Sequence, residues 1–312
     1  MKKISIVTAT YNEQDNILKL CKDISFIMDK IEIDYEHIII DNNSTDNTQN
    51  LIRKICEDDK NVKAIFNTRN FGHYRSAYYG LLQSSGDATI LYAADFQDPI
   101  ELIPTLINKW FSGIKIVFLK RTLSKENFFL ENIKKFFYKL LKNISNSKII
   151  ERTTGSGIFD RSVIDNLKTI NDPDPFFRGL VTEIEDNIEV LEFEQPPRLF
   201  GESKNNFFTL SDFGIMALIK HSKLPLRIIT FGGFFFSVFL FIIGTFFLIY
   251  KLLFWDSFVI GIAPIILLIS FGFSILIFMM GIIGEYVGVI LTYQKSLPLS
   301  VEKERINFNK LN

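Results

Sequence analysis

Two cysteines and three histidines in 312 residues leave little material for a disulfide framework or for a zinc-type metal site. Cys21 and Cys56 lie far apart, in segments of helical spacing, and read as buried free thiols. Net charge is missing too: 35 basic residues balance 35 acidic ones. A basic face for nucleic acid is therefore not expected. Charge of either sign is absent from residues 228–250 and 257–284. About 20 apolar residues suffice for a helix to cross a hydrocarbon core about 30 Å thick, and a buried soluble helix of such length would show a polar stripe.

The charge that exists is concentrated in residues 1–225, which alternate like a soluble α/β protein. Two transmembrane helices, about 228–250 and 258–284, are expected as a tight hairpin with Trp255 and Asp256 in its turn. Lys220, Lys223 and Arg227 precede the first span, and Lys295, Lys303, Arg305 and Lys310 follow the second. Basic flanks stay inside, so both termini are expected on the cytoplasmic side of a bacterial inner membrane, with lipid bilayer as a partner. The opening Met1-Lys-Lys-Ile-Ser-Ile-Val reads as a strand start rather than a signal peptide. The expected division is a catalytic domain over 1–205, an amphipathic juxtamembrane segment over 206–226, the hairpin over 227–290 and a tail over 291–312. Residues 126–144 form a second amphipathic stretch, read equally as a packed helix or as one lying on an anionic membrane surface. Gly281 and Gly284 permit close helix packing, which leaves a homo-oligomer open.

In the soluble part, strands are predicted at Ile4–Thr8, Tyr35–Ile40, Val62–Phe66, Ala88–Tyr92 and Lys115–Leu119, alternating with helical periods such as His73–Gln83. That order implies a mostly parallel, doubly wound sheet. Polar clusters follow successive strands: Tyr11 to Glu13, Asp41 to Asp46, Asn70 to His73 and Asp95 to Asp98. In such sheets ligands bind outside the carboxyl ends of the strands, so four segments are expected to converge on one site. The run ending in Asp95-Phe96-Gln97-Asp98-Pro99 is the most informative of them, because carboxylate and amide oxygens suit a hard divalent cation and a diphosphate.

Thr8-Ala-Thr-Tyr11-Asn12-Glu13, Asp41-Asn-Asn-Ser44-Thr45-Asp46, Asn70-Phe71-Gly72-His73 and Ala94-Asp95-Phe96-Gln97-Asp98-Pro99 occur in the order that resembles family 2 glycosyltransferases. Arg198-Leu-Phe-Gly201-Glu202-Ser203-Lys204, Pro225-Leu226-Arg227 and Gly284-Glu285-Tyr286 extend the resemblance to the bacterial polyisoprenyl-phosphate glycosyltransferases, similar to dolichol-phosphate mannose synthase. The resemblance covers essentially the whole chain. It implies a GT-A, Rossmann-like nucleotide-diphosphosugar domain and inverting sugar transfer from a nucleoside-diphosphate sugar to a polyprenyl phosphate such as undecaprenyl phosphate. Carried over by position, it implies that Tyr11, Glu13, Asp41 and Asn42 hold the donor, with Arg121 meeting phosphate charge. It also implies that Asp95 and Gln97 coordinate Mg2+ or Mn2+ and that Arg198 and Lys204 meet phosphate on the leaving group or the acceptor.

Two departures bear on the chemistry. Ala93 stands where many relatives have the first acid of an Asp-x-Asp pair, and Thr153–Arg161 has no acid where relatives often carry one. Asp160 in that stretch reads as a structural residue. A phosphate monoester is largely ionised near neutral pH and needs no general base, whereas a sugar hydroxyl does. The missing acid thus favours a lipid-phosphate acceptor. The alternatives are a transferase acting on a glycan or lipid-linked saccharide, and a non-catalytic membrane scaffold.

Overall fold

The computed structural model describes residues 2–122, 150, 153–196, 224–254, 262–295 and 297–308. Two compact units divide the chain: Met1–Ser211 together with Ser296–Asn312, and Asp212–Lys295. The predicted amphipathic stretches over 126–144 and 206–223, and the hairpin turn, lie outside the described residues.

The first unit opens with strand β1 (Lys3–Thr10), helix α1 (Ile17–Ile31), β2 (Asp34–Asp41), α2 (Thr48–Asp58), β3 (Val62–Asn67), α3 (His73–Gln83) and β4 (Ala88–Leu91). It continues with α4 (Ile103–Phe111), β5 (Ile116–Arg121), β6 (Thr153–Asp160), α5 (Arg161–Lys168), α6 (Phe177–Ile184) and β7 (Ile188–Phe193), and ends with β8 (Glu302–Ile306). The described strands form one sheet in the order β7-β5-β6-β4-β1-β2-β3-β8. Its centre is parallel, β1 pairing with both β2 and β4, and β2 with β3.

The sheet is mixed, which corrects the mostly parallel reading. β6 runs antiparallel to β4 and β5, and β8 antiparallel to β3. The β6 stretch was not resolved as a strand from sequence because Thr-Thr-Gly-Ser-Gly carries almost no apolar alternation. Gly157 there is required by close approach: a Cβ would sit 2.2 Å from the Val117 carbonyl oxygen. The tail is corrected as well. Residues 302–306 are a strand of the sheet, held by Arg53 on Glu304 at 2.7 Å and by the Tyr79 hydroxyl on Glu302 at 2.7 Å.

Period-2 side-chain alternation sends each strand's apolar residues to both faces. One face packs Ile4, Ile6 and Ile39 against Ile17, Leu20 and Ile24 of α1, Ile52 of α2 and Leu106 of α4. The other packs Val7, Ile38 and Ile40 against Tyr78 and Leu81 of α3, Ile164 of α5 and Phe177 of α6. Cys21 and Cys56 are buried free thiols, and burial pushes both up to about 12. Asn16, at the start of α1, makes no side-chain cap hydrogen bond and instead donates to Glu13 Oε2 at 2.7 Å.

In the second unit, α7 (Leu224–Leu253) and α8 (Ile262–Lys295) are long helices. Phe231, Phe234, Phe235 and Phe239 of α7 and Phe273, Ile277 and Phe278 of α8 are exposed. Within α8, Ile275–Lys295 is long and apolar enough to cross a membrane, with mean hydropathy 2.1.

At the amino edge of the strands, Glu36 is a buried hub. It accepts from Lys63 Nζ and Ser5 Oγ at 2.6 Å each, from Ser85 N at 2.7 Å and from Lys3 Nζ at 3.1 Å. Burial alone would raise its pKa, but these donors outweigh it and hold the carboxyl at about 2. His37, in the core beside Thr8, is pushed down to about 3 by burial. Both folded-state values lie below their unfolded ones, so both groups stabilise fully above the unfolded pKa and lose that contribution as pH falls. The windows are about 6.5 to 3 for His37 and about 4.5 to 2 for Glu36. Stability of the full chain in detergent should therefore fall by roughly 1.4 kcal/mol per pH unit per group within each window. His37→Gln is expected to flatten the denaturation midpoint between pH 6 and 4.5; an unchanged slope would remove His37 from the account. Glu36→Gln should cost about 2 kcal/mol at pH 7.

Candidate active site

Parallel pairing puts the carboxyl ends of β1, β2, β3 and β4 on one edge, as the sequence clusters implied. β5 ends there too, since it and β4 are each antiparallel to β6. Tyr11, Glu13, Asp41, Asn42, Asp95, Gln97 and Arg121 are thus brought to a common edge. Arg198 and Lys204 lie outside the described residues.

The loops after β1 and β2 are sewn together. Asn12 takes a left-handed backbone, φ 57°, so that its amide donates to Ser44 Oγ at 2.9 Å while its Oδ1 accepts from Thr45 N at 2.8 Å. Asparagine tolerates that conformation better than most residues. The Glu13 amide donates to Thr48 Oγ1 at 2.9 Å, which sets the half-buried Glu13 carboxylate at the start of α1. Asp41 is fully buried; its Oδ2 accepts from Ser44 N at 3.0 Å and Gln49 Nε2 at 2.9 Å. Its Oδ1 has no hydrogen-bond partner among the described residues. Burial raises the Asp41 pKa, and the bonds from Ser44 and Gln49 only partly oppose this.

Asn42, carried over by the resemblance as a donor-holding residue, has its side chain engaged within the protein. It is buried, its Oδ1 accepts from Phe71 N at 2.9 Å and Asn67 Nδ2 at 3.2 Å, and its Nδ2 donates to Asn70 Oδ1 at 2.7 Å. The amide is engaged in holding the Asn70–Gly72 loop. An aspartate here would lack the N–H that Asn70 receives, which accounts for asparagine at this position.

After β4 the chain turns through Phe96, whose φ of 56° is unusual for a bulky residue. Such outliers persist where surrounding bonds fix them and gather at functional sites. The Gln97 amide donates to Asp95 Oδ1 at 3.2 Å, the Tyr92 hydroxyl donates to the Asp98 carbonyl, and Ser156 Oγ donates to Asp98 Oδ2. The buried Asp98 carboxyl is raised by burial, with Ser156 and Arg121 lowering it and Asp95 raising it further. The turn leaves Asp95 and Gln97 half-buried, two hard oxygen donors one residue apart. Mg2+ and Mn2+ at phosphate sites use few protein ligands and fill their remaining positions with phosphate and water, so these residues fit such an ion. Among the described residues no group of three His, Cys, Asp or Glu side chains is placed to hold a metal.

Asp160 has the structural role read from sequence. It caps α5, accepting from Ser162 N at 2.9 Å, and also accepts from Trp110 Nε1 at 2.8 Å. A cavity of about 600 Å³ opens beside the Asp95 turn, with Phe96, Asp98 and Pro99 on one side and Gln195 and Pro196 on the other. Pro196 is the last described residue before the segment bearing Arg198 and Lys204. Ser44, Thr48, Gln49, Asn67 and Ser156 were not singled out from sequence; single hydroxyls and amides at strand ends look like ordinary turn residues until pairing shows what they hold.

The α/β fold with its mixed sheet is that of the GT-A class of glycosyltransferases. The chain matches the model for glycosyl transferase family 2 over residues 5–168 and belongs to that family. It is 31% identical to the bactoprenol glucosyl transferase of Shigella phage SfII over 97% of this chain and 98% of that protein. It is 30% identical to the prophage bactoprenol glucosyl transferase homolog of Escherichia coli K12, over 96% of this chain and 98% of that one. Among solved structures, glucosyl-3-phosphoglycerate synthase of Mycobacterium tuberculosis aligns with TM-score 0.47 and 19% identity over 70% of this chain and 78% of that one.

Ser156→Ala would leave the buried Asp98 carboxyl without its hydroxyl donor. The expected cost is about 1–3 kcal/mol in thermal or urea denaturation, with Ser156→Thr close to the parent protein. Equal stability of all three proteins would show that this bond does not hold the turn.

Proposed function

We propose that the protein transfers a sugar, with inversion, from a nucleoside-diphosphate sugar to a polyprenyl phosphate at the inner face of a bacterial membrane. The observation that carries this is the extent of the match: relatives named for bactoprenol glucosyl transfer align with both the site and the apolar helices, over 97% of the chain. The lipid-linked sugar would serve synthesis or modification of a cell-surface glycan.

Tyr11, Glu13 and Asp41 hold the donor's base and ribose. Asn42 acts through the Asn70–Gly72 loop. Asp95 and Gln97 hold Mg2+ or Mn2+, which when bound offsets diphosphate charge. Arg121 adds a positive charge on the same edge. Arg198 and Lys204 meet phosphate of the leaving group or acceptor, Arg by bidentate contact and Lys as a point charge. Their segment begins at the wall of the cavity beside the Asp95 turn. The acceptor's phosphate oxygen attacks the anomeric carbon while the bond to the diphosphate breaks, and the electron pair leaves with the nucleotide. Asp160 is committed to capping α5 and supplies no base, which an ionised phosphate nucleophile does not require.

Chain topology supports a hairpin of two spans. β8 pairs with β3, so the chain before α7 and after α8 belongs to one unit on one side of the membrane. Two crossings between them fit that pairing. The basic flanks give that side as cytoplasmic.

The test is to incubate the purified full chain in detergent with undecaprenyl phosphate, Mg2+ or Mn2+ and a panel of nucleotide sugars. A lipid-linked monosaccharide is expected with one donor; none with any donor would overturn the reading. Asp95→Ala should lower turnover at least about 100-fold, since one such electrostatic contact is commonly worth that much.

A further inference from the structure

The segment after α8 returns to the carboxyl edge. β8 is antiparallel to β3 with Glu302 opposite Asn67, so the residues just before β8 lie beside the carboxyl end of β3. Pro298, Ser300 and Val301 each bond to that end or to α3. The Pro298 carbonyl accepts from Arg75 Nη2 at 2.8 Å. The Val301 carbonyl accepts from Thr68 N at 2.9 Å and Thr68 Oγ1 at 3.1 Å. Ser300, itself buried, donates through Oγ to Asn67 Oδ1 at 2.7 Å.

Asn67 is fully buried, and its side chain is a relay. With Oδ1 taken by Ser300, its Nδ2 faces Asn42 Oδ1 and Ser76 Oγ, each at 3.2 Å. Asn42 Oδ1 is thereby oriented to receive the Phe71 amide, and its Nδ2 to meet Asn70 Oδ1, which also accepts from Gly72 N at 2.8 Å. The chain of bonds Ser300, Asn67, Asn42, Asn70 has one consistent direction. Asn42 Oδ1, committed to the Phe71 amide, takes only donors and so faces the Nδ2 end of Asn67, while the Ser300 hydroxyl supplies the donor that the buried Asn67 Oδ1 then needs. Without Ser300 the buried Asn67 Oδ1 loses that donor, and the amide is no longer held from both ends in the plane that serves Asn42.

We propose that Ser300 is a positioning residue for the donor site: through Asn67 and Asn42 it holds the Asn70–Gly72 loop in the geometry that nucleotide-sugar binding needs. This rests on the functional reading above and deepens it, because it makes the segment that follows the apolar helices part of the donor pocket. The segment contacts donor-side loops and makes no bond to the Asp95 turn among the described residues, so the effect falls on donor affinity and spares the acceptor.

The test compares the full-length parent, Ser300→Ala and Ser300→Thr in detergent, with undecaprenyl phosphate, Mn2+ and the active nucleotide sugar. Ser300→Ala is expected to raise the donor KM about three- to tenfold, the loss of one buried hydrogen bond, with kcat and acceptor KM within twofold. Ser300→Thr should restore the donor KM. Amide exchange at Phe71 should quicken in Ser300→Ala alone. An unchanged donor KM, or an equal rise in both KM values, would overturn the inference. If the parent makes no lipid-linked sugar, the functional reading fails. Titration with UDP and GDP, together with exchange at Phe71, then decides the inference: weakened nucleotide binding with faster exchange sustains it, and unchanged values of both overturn it.

Discussion

Parallel pairing of β1 with β2 on one side and β4 on the other is the constraint on which the site depends. It forces Tyr11, Asp41 and Asp95 to emerge on one edge, from segments otherwise separated by whole helices. The strands are packed on both faces, so a one-residue slip would turn Ile4 and Ile6 away from α1 toward the α3 face and break both packings. Register therefore sets the spacing of the site without any bond within the site itself. The polar network then refines it: Asn12 ties the first loop to the second, and Asn42 ties the second to the third.

Stability and function are placed at opposite edges of the same sheet. Glu36, with its lysine and serine donors, closes the amino edge with every carboxylate oxygen engaged. At the carboxyl edge, Asp41 and Asp98 each keep one buried oxygen without a hydrogen-bond partner among the described residues, a state that costs free energy. The left-handed Phe96 next to Asp95 belongs to the same pattern of strain held at a site.

Much of this was legible in the chain. His73–Gln83 was predicted as a helix with the bounds that the structure shows, because apolar spacing and Gly72 before it agree. Tyr11, Asp41 and Asp95 were legible because each follows an apolar run long enough to be a buried strand. β6 was not, since Thr153–Gly157 owes its strand to pairing with β4 and β5 rather than to its own pattern. β8 was hidden for a different reason. Glu302-Lys-Glu-Arg-Ile306 is four-fifths charged and earns its place at the sheet edge through side-chain pairs with Arg53 and Tyr79. For Asn42 the resemblance implied a donor-holding role, but only the fold shows its amide engaged by Asn67, Asn70 and Phe71.

If four strand ends form one nucleotide site, amide hydrogen exchange of the full chain with UDP and Mn2+ together should protect residues 11–13, 41–46, 67–72 and 95–98 jointly, relative to the chain without them. Protection confined to a single one of these loops, or appearing elsewhere in the sheet with all four unchanged, would contradict one shared site.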